Sequence, residues 1–139
     1  MPHGLIEVEH LSYQFSDSEA KPLPVLQDIS FQVQAGEWIA LIGANGSGKT
    51  TLVRHLNALL LPTSGAVWVE GMDTRDKRNR PLIRATAGMV FQTPEDQIVS
   101  GVVEEDTAFG PENLSIAPAE ILRRVDEALE QVGLSAQHL

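Results

Sequence analysis

The chain has no cysteine among its 139 residues. That excludes a disulfide framework, a thiolate metal site and a cysteine nucleophile, and it suits a cytosolic setting. No apolar run approaches the ~18 residues that a membrane span requires. The opening Met1-Pro2-His3-Gly4-Leu5-Ile6-Glu7 lacks a basic stretch followed by an apolar one, so no signal peptide is expected. Basic residues are scarce: ten Lys and Arg stand against nineteen Asp and Glu, a formal net charge of −9. At long range such a chain repels nucleic acid and an anionic membrane surface. The four histidines, His3, His10, His55 and His138, have no metal-binding spacing and read as surface or internally satisfied residues. With 42% hydrophobic residues the chain has apolar material for one compact core.

What is present is a glycine-rich loop. Gly43-Ala44-Asn45-Gly46-Ser47-Gly48-Lys49-Thr50 fits the spacing G-x-x-x-x-G-K-[ST] without a gap. The run before it, Trp38-Ile39-Ala40-Leu41-Ile42, reads as a short buried strand. After it, residues 50–60 are expected as a helix, with Leu52, Val53, Leu56, Leu59 and Leu60 at helical spacing. Strand, loop and helix in that order are the setting in which such a loop cradles phosphate. A polyphosphate packs several negative charges together. The glycines let the backbone curl so that successive N–H groups point inward, and the positive end of the following helix adds to the field. Lys49 brings a point charge to the terminal phosphates. The Thr50 hydroxyl is a hard oxygen ligand suited to Mg²⁺, with Thr51 beside it in the first turn. The bland alternative is a glycine-rich turn with an incidental lysine; the fixed offsets and the flanking elements argue against it.

Elsewhere the pattern is mixed. Ile6-Glu7-Val8 and Leu11-Ser12-Tyr13-Gln14-Phe15 both alternate, separated by a three-residue step, which predicts one strand with a bulge near Glu9-His10. Residues 16–24 read as a polar loop and 25–33 as a second strand. Residues 66–69 read as a strand closed by Glu70-Gly71. Residues 73–80 hold four of the ten basic side chains; a solvated loop is favoured there over an anion-binding patch. Residues 81–87 are expected as a short helix and 88–91 as a buried strand. Residues 102–109 look like an acidic helix start. Residues 118–132 form an amphipathic helix with the stripe Ile121, Leu122, Val125, Ala128, Leu129 and Val132, entered at Pro118 and closed by Gly133. The coarse prediction is an α/β core over residues 1–91 and a helical region over 92–139.

Three segments together resemble a known family: Gly43 to Leu52, then Leu61-Pro62-Thr63-Ser64-Gly65, then Val90-Phe91-Gln92-Thr93-Pro94-Glu95-Asp96-Gln97. They are similar to the ATP-binding subunit of ABC transporters. The segment from Phe91 to Ile98, followed by residues 103–113, looks more narrowly like the energy-coupling-factor (ECF) or cobalt-type ATPases of vitamin and metal-ion uptake. The resemblance implies a P-loop NTPase of ABC ATPase type, with an N-terminal β-subdomain, a phosphate-loop core and the start of a helical subdomain. It implies ATP and Mg²⁺ as ligands, held by residues 43–51, with Thr50 and Gln92 toward the metal. Phe15 matches the aromatic that stacks on adenine, with Tyr13, two residues back on the same face, as its rival. Gln92 matches the Q-loop glutamine, whose amide oxygen can reach Mg²⁺ or the attacking water. Glu104, Glu105 and Asp106 form an acidic face, with a catalytic carboxylate cluster as the sharper alternative. The implied partners are a second ATP-binding subunit, a transmembrane coupling protein and a substrate-binding membrane protein, at the cytoplasmic face of the membrane.

The family also needs a Leu-Ser-Gly-Gly-Gln signature, a strand ending in Asp-Glu and a switch histidine, and these 139 residues contain none of them. They are therefore expected to be the N-terminal portion of a longer subunit. They should bind nucleotide, turn over little if at all alone, and leave strand edges and apolar surface uncovered. A noncatalytic nucleotide-binding fragment and another P-loop NTPase are the competing readings. Against a GTPase, Asp76-Lys77-Arg78-Asn79 does not match the guanine-reading Asn-Lys-x-Asp. The net charge disfavours an ABC ATPase acting on nucleic acid.

Overall fold

The computed structural model describes residues 4–15 and 23–134. His3, His138 and most of the expected loop at 16–24 lie outside them; Leu23 and Pro24 already belong to a strand. The chain divides into two compact units, Met1–Met89 and Val90–Leu139.

The first unit is built on a four-stranded antiparallel sheet in the order β2-β1-β3-β4. Its strands are β1 (Ile6–Phe15), β2 (Leu23–Val33), β3 (Ser64–Val69) and β4 (Met72–Asp73). Two helices accompany it, α1 (Lys49–Leu56) and α2 (Arg80–Thr86). Val8, Leu11, Leu26, Leu52 and Val67 form the main buried cluster, so Leu52 ties α1 to the sheet. Ala58, Val69 and Ile83 form a second cluster.

The predicted bulge is present. The register of β1 slips between Val8 and Leu11 against β2, and between Glu9 and Ser12 against β3. His10 takes φ 49° and Asp28, on the neighbouring strand, φ 52°. Each left-handed residue donates its N–H across the pair, His10 to Ser30 Oγ at 2.8 Å and Asp28 to Ser12 Oγ at 3.0 Å. Gly65 lies against the bulge on the other side. A Cβ there would sit 2.2 Å from the His10 carbonyl oxygen, so only glycine fits.

β3 and β4 join through Glu70 and Gly71 at φ 47° and 75°. Two positive φ values in a two-residue loop match the twist of a hairpin. That turn makes a strand of Met72–Asp73, where sequence reading began a loop at Asp73. Two arginines of the basic loop are paired within it. Arg75 bonds Asp73 and Arg78 bonds Asp76, each at 2.7 Å. The Arg78 guanidinium draws the Asp76 carboxyl down to about 2. These pairs spend the arginine forks locally, as a solvated loop does.

Two expected strands do not form. Residues 38–42 and 88–91 carry no ladder. Trp38 is 100% exposed, Ile42 91% and Val90 91%. A strand's N–H and C=O groups need a neighbour to pair with. Among the described residues none runs beside either segment, so apolar composition alone does not bury them. α1 also stops at Leu56 rather than at 60. Ala58 turns left-handed at φ 57°, and the N–H groups of Leu59 and Leu60 both return to the Arg54 carbonyl at 2.9 Å.

The second unit contains a 3₁₀ turn at Pro94–Gln97 and two helices, α3 (Val103–Asn113) and α4 (Pro118–Gln131). α4 ends as its sequence predicts. Gly133 takes φ 77°, its N–H reaches the Glu130 carbonyl at 3.0 Å, and the Leu134 N–H reaches Leu129 at 2.9 Å. Of the expected apolar stripe only Val125 and Leu129 are buried, while Leu122 and Val132 are largely exposed.

Candidate functional site

The loop at residues 43–50 is assembled by three local devices. Gly46 and Gly48 take φ 79° and 90°, which an L side chain rarely adopts. The Ser47 N–H closes a turn onto the Ala44 carbonyl at 3.2 Å. Gly48 then caps α1 with no side-chain bond to the helix terminus. The first N–H groups of a helix have no partner within it, so the amides from Lys49 onward form an uncapped, positive end. Leu52 is the first residue whose N–H returns into the helix, to Gly48 at 2.8 Å.

Gly48 is also where loop and sheet meet. A Cβ on it would lie 3.0 Å from Leu26 Cδ2 and 3.2 Å from the Val25 carbonyl oxygen. At Gly43 a Cβ would lie 2.7 Å from Ser47 Oγ, so a side chain there would require the Ser47 hydroxyl to turn away. Lys49 folds over this loop. Its Nζ donates to the Gly43 and Ala44 carbonyls, both at 2.8 Å. The ammonium is therefore held at the mouth of the loop by two neutral acceptors, which an anionic oxygen would outcompete. Asn45 and Thr50 are exposed and Thr51 is half-buried in the first helical turn. This arrangement can take a polyphosphate, and the Thr50 hydroxyl offers a hard oxygen for a cation bound with it.

Phe15 is the last residue of β1 and is 49% exposed. It pairs with Leu23, two residues along β2 from the Val25 carbonyl that abuts Gly48. Tyr13 is half-buried, with its ring meeting Phe15 edge-on at 5.0 Å and 84°. Gln92 lies in the second unit, in an exposed bend before the 3₁₀ turn. The acidic face of α3 is structural in part. Asp106 Oδ1 accepts the N–H groups of Val99 and Ser100 at 2.7 and 3.1 Å. Glu105 Oε2 accepts the Ser100 hydroxyl at 2.8 Å.

His55, read from sequence as a surface or internally satisfied residue, is the second of these. It sits on α1 three residues after Leu52, on the same inward face, and is fully buried. Nδ1 lies 2.7 Å from the Thr51 carbonyl oxygen. A carbonyl can only accept, so the proton is on Nδ1. Nε2 makes no hydrogen bond. Burial pushes the imidazole below its ordinary value, and the carbonyls of Thr51 and Leu61 oppose the shift. The ring meets Tyr13 edge-on at 4.7 Å and 72°. The helical spacing to Leu52 was the signal that could have marked it as internal.

Comparison with known proteins gives a consistent result. The family model described as ABC transporter matches residues 26–138. The energy-coupling factor transporter ATP-binding protein EcfA1 of Caldanaerobacter subterraneus is 54% identical over 94% of this chain and 47% of its own length. The cobalt import ATP-binding protein CbiO of Syntrophus aciditrophicus is 54% identical over 95% of this chain and 46% of its own. Among solved structures, cbiO1 from Clostridium perfringens, part of the ABC transporter complex cbiONQ, superposes with a TM-score of 0.77. It is 33% identical and covers 95% of this chain and 51% of its own. The chain thus spans about half the length of the curated relatives it matches.

Proposed function

Since this chain belongs to the ABC transporter family, we propose that it is the nucleotide-binding portion of an ATP-binding subunit of ECF type. ATP binding and hydrolysis by the whole subunit would drive vitamin or metal-ion uptake. The observation that carries the reading is the phosphate loop, with Lys49 poised over its mouth on the Gly43 and Ala44 carbonyls. The ECF assignment rests on the 54% identity to EcfA1 and CbiO proteins. Residues 43–51 hold the phosphates, and Phe15 offers a half-open aromatic face to the base. Mg²⁺, when bound, neutralises phosphate charge. Thr50 would hold it from the loop, and Gln92 is carried over as a second candidate ligand from the family resemblance alone. A stacked ring recognises any purine by its face, so ATP is preferred over GTP by less than about a hundredfold.

The partners fit the same reading: a second ATP-binding subunit, a transmembrane coupling protein and a substrate-binding membrane protein, with this subunit peripheral on the cytoplasmic face. No helix among the described residues is long and apolar enough to cross a membrane. A noncatalytic nucleotide-binding role is the second reading. That reading concerns these 139 residues taken alone, which hold neither the water-activating carboxylate nor the signature sequence of the family.

Titration of Mg-ATP into the chain and its Lys49→Ala variant tests the site. The variant should lose about 10- to 100-fold in affinity, a charge-assisted contact of roughly 1.5–3 kcal/mol. Equal affinities would overturn the reading. A phosphate-release assay separates the two roles. The 139 residues alone should give only trace turnover, and a subunit of the relatives' full length, with its partners, should give orders of magnitude more. Turnover by neither would favour the noncatalytic role.

A further inference from the structure

Three rings lie in a row across the first unit. His55 on α1 meets Tyr13 at 4.7 Å and 72°, and Tyr13 meets Phe15 at 5.0 Å and 84°. Both contacts are edge-to-face, the arrangement in which the positive rim of one ring meets the negative face of the next. The inner end of the row is fixed. His55 is fully buried, and its Nδ1–H bonds the Thr51 carbonyl, two residues beyond Lys49. The outer end is open, because Phe15 is half-exposed at the end of its strand. Tyr13 and Phe15, two residues apart on β1, point to the same face.

We propose that Tyr13 and His55 are positioning residues, holding the Phe15 ring at a set angle to the phosphate-loop helix so that base and phosphates are met by one rigid frame. This rests on the reading that Phe15 receives the base. A ring at the end of a strand, free to change rotamer, gives up orientation each time a base stacks on it. A ring with its edge held by Tyr13 does not. Tyr13 is held in turn by an imidazole anchored in the turn that carries Lys49. Burial suits a neutral imidazole, which leaves the row uncharged.

The test compares two ligands on the full chain by calorimetry: Mg-ATP, which has a base, and Mg-tripolyphosphate, which has none. Tyr13→Leu and His55→Leu should each weaken ATP about three- to tenfold, the worth of an aromatic pair, and leave tripolyphosphate within twofold. Tyr13→Phe, which keeps the ring, should behave as the unaltered chain. Adding Tyr13→Leu to Phe15→Ala should cost nothing further, because the platform it orients is already gone. A purely structural role would weaken both ligands together, and that result overturns the proposal. So does loss of ATP affinity on Phe15→Ala with none on Tyr13→Leu. If Phe15→Ala itself leaves ATP unchanged, the assignment of Phe15 to the base has failed instead. Should His55→Leu not fold, as judged by circular dichroism, the Tyr13 pair of variants decides alone.

Discussion

Two apolar runs in the first unit have opposite fates. β3, Ser64–Val69, and residues 38–42 are both short, both rich in β-formers and each with one of the chain's two tryptophans. Each has a glycine at φ 81° near its start, Gly65 as the second residue of β3 and Gly36 two residues before Trp38. β3 is paired on both sides, and Val67 and Val69 are 0% and 1% exposed. Residues 38–42 have no ladder, and their Trp38 and Ile42 stand almost wholly in solvent. The difference teaches that hydrophobicity nominates a strand and a neighbour makes it one. Backbone polar groups leave water only when another strand takes them up.

The two glycines give the largest effect. Gly65→Ala should cost about 3 kcal/mol in urea denaturation, because left-handed strain adds to overlap with the β1 backbone. At Gly36, which has the same φ, a Cβ would meet nothing within 4 Å. Gly36→Ala should cost only the strain, about 1 kcal/mol. Similar losses would mean that the surroundings of Gly65 contribute nothing.

One step smaller, Val67→Ala should cost about 2 kcal/mol, for transfer and for the space it leaves. Ile42→Ala should stay within about 0.5 kcal/mol. A large effect at Ile42 would show that residues 38–42 find a partner in solution.

The tryptophans report the same contrast without a stability change. With Trp68→Phe the remaining Trp38 should emit as a water-exposed indole and be quenched freely by acrylamide. With Trp38→Phe the remaining Trp68, half-buried in β3, should be quenched less. In a subunit of the relatives' length Trp38 should become protected, and continued free quenching there would break the comparison.

The smallest effect is a pH dependence. His55 titrates below its ordinary value of 6.5 in the fold, chiefly through burial. Folding then favours the neutral ring, so its contribution is complete above pH 6.5 and is lost as pH falls from there toward the folded value. His10 runs the other way. Its bond to Asp28 raises it, so its contribution is present below 6.5 and fades as pH rises through the folded value. Full exposure of that pair makes the effect slight. Urea midpoints between pH 7.5 and 5 should fall on acidification, and His55→Leu should flatten the fall. An unchanged slope would place the titrating group elsewhere.

The glycine-rich loop was legible as a turn leading into α1 because its conformation is dictated by backbone geometry within eight residues. The β1 bulge was legible from a single break in alternation, and the α4 cap from Gly133. The fate of residues 38–42 and 88–91 was not, nor was the burial of His55. Each depends on what lies beside the segment in space, which periodicity does not encode. The second unit shows the same limit: the α4 stripe was read correctly as amphipathic, yet only Val125 and Leu129 are covered.

By itself the sequence determined the local features: a glycine-rich loop with Lys49 and Thr50 at its end, an aromatic at the end of β1, and the family resemblance. Those features sit in short stretches whose conformations are set by φ preferences, charge and spacing. Only the tertiary structure decided which apolar runs became strands, where Lys49 rests and that His55, Tyr13 and Phe15 stand in a row. Those outcomes depend on contacts between residues far apart in the chain, and packing settles them after local preference has been satisfied.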